Sequence, residues 1–155
     1  MNSLFLNALV WHILLGIAAI VAFAGLQLLL RGKELNIRMI KIFSLLGFLG
    51  FLGSWIFGGY YYVAYYGKAV KSQILKSADP WAHNILMESK EHVFLFLPFL
   101  AFVVFILVNL LPKDVIENEQ FRKSLSLLCF VIVALGIIIT LSGIGISGSV
   151  VAGKP

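Results

Sequence analysis

His12 and His92 are the residues whose type and placement invite chemistry, because each lies in an apolar stretch. An ionisable side chain inside a membrane segment is costly and marks a functional-site hypothesis by default. Their depths agree. About 18 residues separate His12 from Leu30 and about 19 separate His92 from Leu111, which places both rings roughly 27–28 Å from the same boundary. Tyr61, Gly58 and Gly143 fall beside that level, with Gly16 one turn from His12. Two axial imidazoles flanked by small residues suit a porphyrin held between diagonal helices, so haem b is the first expectation. In this reading Glu88, four residues before His92, orients the imidazole, and Tyr61 hydrogen-bonds a propionate or a quinol.

Other ligands fit the same residues. If the helices carrying the two histidines are adjacent, His12, His92 and Glu88 form a set for bare copper, iron or zinc. His83 and Met87 form a weaker copper pair nearby. Each histidine also has a structural reading: His12 as a partner of Tyr61 or a backbone carbonyl, His92 as the polar end of its helix.

These residues must be positioned by membrane-spanning helices. Of 155 residues, 61% are hydrophobic and 12% charged, and the mean hydropathy is +1.00. A soluble domain of this size cannot bury that much apolar surface. Crossing about 30 Å of hydrocarbon takes about 20 apolar helical residues, and four stretches qualify: 4–30, 42–62, 92–111 and 124–150. The expected fold is all-α, a single-domain integral membrane four-helix up-down bundle. Asp79 and Pro80 start the third helix outside the bilayer, and Pro98 is expected to kink it. Tyr60, Tyr61, Tyr62, Tyr65 and Tyr66 read as interfacial anchors where the second span leaves the bilayer, as do Trp11 and Trp81.

Charge sets the expected orientation. Arg31, Lys33, Arg38 and Lys41 follow the first span; Lys113, Arg122 and Lys123 follow the third. Short basic loops stay in the cytoplasm. Both termini and the longer second loop, with Lys68, Lys71, Lys76 and Lys90, are then outside a bacterial or archaeal inner membrane. No strongly charged residue is placed deep in a span. Small residues recur at helical spacing, as in Gly47, Gly50, Ser54 and Gly58, or Gly136, Thr140 and Gly143. Such stripes serve tight helix contact or make room for a flat ligand.

The four-helix layout, Leu9-Val10-Trp11-His12, the glycine-rich 47–59 segment and Glu91-His92 together resemble DUF2231-type bacterial membrane proteins, which look like small cytochromes b. The resemblance implies haem binding at His12 and His92. The function expected is electron transfer between the quinone pool and an external electron carrier. The alternatives are non-haem metal handling and a non-catalytic subunit of a larger respiratory or transport complex. A nucleic-acid role lacks any basic soluble element, and no hydrolase triad is assembled. The single cysteine, Cys129, excludes an internal disulfide.

Overall fold

Backbone polar groups in hydrocarbon must be satisfied within their own segment, which favours long uninterrupted helices. The computed structural model describes residues 2–76 and 80–152, and among these every regular element is helical. Helix α1 spans Ser3–Arg31 and ends at Gly32. Asn36 opens α2 (Ile37–Tyr61) by accepting the Met39 N–H at 3.1 Å. Helix α2 continues through wider turns over Tyr62–Val70 into the short α3 (Lys71–Leu75). The chain returns through a second wide-turned segment, Ala82–Met87, into α4 (Glu88–Leu110). A short α5 (Lys113–Glu117) leads to α6 (Glu119–Ala152), whose start is capped by Asn118 accepting the Phe121 N–H at 3.0 Å. Four helical runs are long and apolar enough to cross a membrane: Ser3–Arg31, Ile37–Leu75, Asn84–Leu110 and Glu119–Ile146. Asp79 lies outside the described residues.

Around the bundle, α1 packs on α2, α2 on α4, α4 on α6, and α6 back on α1. The α1–α4 pair is therefore diagonal. Phe23 and Leu26 of α1, Phe51 of α2, Leu97 of α4 and Ile132 of α6 meet at the centre, each nearly or fully buried. Glycines set the helix spacing. A methyl on Gly50 would meet the Leu15 carbonyl oxygen at 3.0 Å, so the α1 and α2 backbones touch there. Gly47 faces the Phe23 ring and Gly136 faces Ile20. The glycine stripes thus receive the protein's own side chains.

The end carrying the α1–α2 and α4–α6 links is fastened by two arginines. A helix terminus leaves carbonyls without intrahelical partners. Arg122 of α6 supplies them for α1, donating from Nε to the Leu30 carbonyl at 3.1 Å and from Nη2 to that of Gly32 at 3.3 Å. Arg31 answers by donating to the buried Ser126 hydroxyl at 3.1 Å. Further in, Asn109 of α4 donates to Ser44 Oγ of α2 at 3.2 Å and to the Phe105 carbonyl at 2.8 Å.

The opposite end departs from the sequence reading in one respect. The segment after residue 62 is helical through Leu75 rather than a loop. Tyr66, Val70 and Ile74 repeat every fourth residue and bury against Met87 and Ile146, forming a second apolar cluster. The tyrosines accordingly do more than anchor. Tyr66 is 3% exposed, and its ring lies 5.4 Å from that of Tyr62. Tyr65 meets Phe5 of α1 at 5.1 Å.

Candidate functional site

Ser54 occupies the inward stripe of α2, where Gly16 of α1 leaves space for it; a methyl on Gly16 would stand 3.2 Å from Ser54 Oγ. That approach brings Ser54 onto His12, one turn away on α1. His12 Nδ1 lies 2.9 Å from the Ser54 carbonyl oxygen and 2.9 Å from Ser54 Oγ, and Oγ lies 2.9 Å from the His12 carbonyl oxygen. The assignment that satisfies both carbonyls has Nδ1–H donating to that of Ser54 and the hydroxyl donating to that of His12, with Nε2 left as an acceptor. The ring then fills the space over Gly58, where a methyl would meet Nδ1 at 2.6 Å. Phe94 of α4 closes the far side, edge-on at 5.4 Å.

His92 does not join this group. It is exposed, and its Nδ1 pairs with the Glu88 backbone carbonyl at 2.7 Å. Phe94 faces His12, and two residues along a helix differ by about 200° in direction, so His92 points away from His12. The orienting atom on Glu88 is its carbonyl; the residue itself is exposed. Although α1 and α4 are diagonal, as a bridging porphyrin would require, the two imidazoles do not converge and Gly58 is already covered by the His12 ring. The residues present do not fit a bis-histidine haem. Nor do His12, His92 and Glu88 gather as a metal set: among the described residues no group of three or more His, Cys, Asp or Glu is placed to hold a metal ion. Tyr61 is half-buried, packs at the edge of the outer cluster and lies 5.5 Å ring to ring from Tyr65. Met87 is buried in that cluster, while the side chains of His83 and Glu91 lie outside the described residues.

Lys90 counts in the sequence among the charges outside the membrane, on the part of the third helix that begins at Pro80. It belongs to the helical run Asn84–Leu110. Its ammonium turns into the bundle, 3.3 Å from where a methyl on Gly143 of α6 would stand, and within electrostatic reach of His12. The ion pairs among the described residues, Lys113–Glu117 and Lys123–Glu119, are both at the other end. The signal that finds Lys90 is spacing: Lys90, Phe94, Leu97 and Ala101 step by three or four along the inward face of α4. One end of the bundle interior therefore carries an imidazole tied to Ser54 and an ammonium seated over a glycine.

Comparison of the chain with known protein families, with curated proteins and with solved structures finds no match.

Proposed function

We propose that the protein is a non-catalytic, multi-pass subunit that packs within a larger membrane complex of a bacterial or archaeal inner membrane. The observation that carries this reading is the use made of His12. Its Nδ1 bonds Ser54 and its ring fills the gap at Gly58, so His12 locks α1 to α2, and the second imidazole that an axial pair requires, that of His92, is exposed and points away from it. His92, exposed on the outer turn of α4, is left to the lipid or partner side. The proposed orientation has both termini outside. It is supported by the gathering of Arg31, Lys33, Arg38, Lys41, Lys113, Arg122 and Lys123 at the end of the α1–α2 and α4–α6 links, following the rule that short basic loops remain cytoplasmic.

The test separates this role from the haem and metal alternatives. Protein from haem-replete cells, purified in mild detergent, is examined by absorption spectroscopy and metal analysis, and its co-purifying partners are compared for wild type and His12→Ala/His92→Ala. The subunit reading expects no stoichiometric Soret band or metal and the same partners retained by the double variant. A Soret band or a bound metal lost in the double variant overturns it.

A further inference from the structure

Polar side chains within the membrane-spanning segments are mostly bonded inside the protein. Ser54 is tied to His12, Asn109 to Ser44 and Ser126 to Arg31, and the Thr140 and Ser142 hydroxyls donate to carbonyls one turn back on α6. Gln27 of α1 is an exception. It is partly exposed, and its carboxamide has no hydrogen-bond partner among the described residues. Leu28, Leu29 and Leu30 separate it from Arg31 at the end of the helix, so the amide lies within the apolar stretch. An unbonded amide in hydrocarbon is strongly disfavoured.

The direction of Gln27 follows from its register. Ile13, Ile17, Ile20, Ala24 and Gln27 step by four and three along α1, a heptad seam that ends in one polar residue. Ile13 and Ile17 are 47% and 48% exposed, so the seam lies on the outside of the bundle, and Ile20 borders α6 at Gly136. Between the seam and α6 runs an apolar groove of about 210 Å³, lined by Ile17, Ile20, Val21, Ile137, Thr140 and Leu141. Val21 and Leu141 are themselves largely exposed. This face thus carries both a hollow and side chains able to fill one, which is what a self-complementary contact needs.

What covers the face follows from the chemistry of Gln27. A carboxamide is donor and acceptor at once, so a second carboxamide satisfies it reciprocally. A two-fold axis along the membrane normal sets each residue near it opposite its own copy, and so supplies that second amide. A single polar residue in a heptad seam also fixes register and helix number. We propose that the α1–α6 face binds a second copy of this chain, with the two α1 seams side by side and the two Gln27 carboxamides bonded to each other across the axis. The dimer goes beyond the subunit role and does not depend on it. From the measured strength of polar links between helices in lipid, removing the amide weakens association by about three- to twentyfold.

Full-length protein labelled with a donor or an acceptor fluorophore at its C-terminus is reconstituted in phosphatidylcholine vesicles at a series of protein-to-lipid ratios, and energy transfer gives the dissociation constant. Ile13→Cys, Ile17→Cys and Phe99→Cys are oxidised in the same vesicles; the native Cys129 is fully buried and serves as background. Wild type is expected to form a two-copy species. Ile13→Cys and Ile17→Cys should give disulfide-linked dimers, and Phe99→Cys, exposed on α4, should not. Gln27→Leu should associate three- to twentyfold more weakly, with the Tm of the dilute protein unchanged, because it breaks no bond within the chain. The proposal is overturned if wild type stays monomeric at every ratio, if Phe99→Cys cross-links as well as Ile17→Cys, or if Gln27→Leu associates as tightly as wild type.

Discussion

The Ser54 hydroxyl lies 2.9 Å from both the Nδ1 and the carbonyl oxygen of His12, so one serine holds a side chain and a backbone of the neighbouring helix at once. Polar links between helices in lipid average about 0.6 kcal/mol and reach about 1.7. Each side chain bonds the other residue's backbone carbonyl, which alanine keeps, so the losses from His12→Ala and Ser54→Ala are expected to be nearly additive in a double-mutant cycle, measured by reversible unfolding in mixed micelles. A coupling above about 0.5 kcal/mol would show that Nδ1 is bonded to the hydroxyl instead.

Gly58→Ala forces the new methyl to within 2.6 Å of His12 Nδ1. Overpacking of this kind costs about 1–3 kcal/mol. Combining it with His12→Ala vacates the clash, so the double variant should lose less stability than the two single losses added together. Thermal unfolding of the four proteins checks the sign.

His92→Ala should leave Tm nearly unchanged, because the ring is exposed and bonded only to a carbonyl of its own helix. His12→Ala, in contrast, removes a ring packed against Gly58 and Phe94 and should lower Tm clearly. Equal losses from the two variants would place His92 in the packed interior with His12.

Ile74 is 1% exposed in the outer cluster, remote from the main core. Ile→Ala at a buried site costs about 2–5 kcal/mol. Since Ile74 is buried within the outer cluster, Ile74→Ala should speed amide exchange over Tyr62–Leu75 and Ala82–Met87 while leaving the centres of α1 and α6 protected. Hydrogen exchange resolved by segment measures this directly.

Hydrophobic length makes the four long helices legible in the chain: apart from Leu111, each of the apolar stretches 4–30, 42–62, 92–111 and 124–150 falls within a long helical run. Counting residues puts His12 and His92 at a common depth in the sequence, but direction around a helix is a separate coordinate. Phe94 takes the inward position that the haem reading gave to His92. The helical hairpin beyond Tyr62 is harder to read because Lys68, Lys71 and Lys76 interrupt its apolar stripe and lower its average hydropathy. Lys90 is hidden differently: its charge marks it as a residue of the third helix's outer turns facing water, whereas its spacing from Phe94 and Leu97 places it inward.

Arg122 and Arg31 are held by neutral oxygens of Leu30, Gly32 and Ser126, not by carboxylates. Their full positive charge therefore stays available to resist translocation even as they tie down the neighbouring helix. In the proposed orientation, topology and tertiary closure rest on the same pair of side chains. Inverting the chain in the bilayer by charge swaps at these positions would consequently unfasten the first helix from the last, and a designer wishing to flip it would have to work through Lys33, Arg38, Lys41 and Lys113 instead.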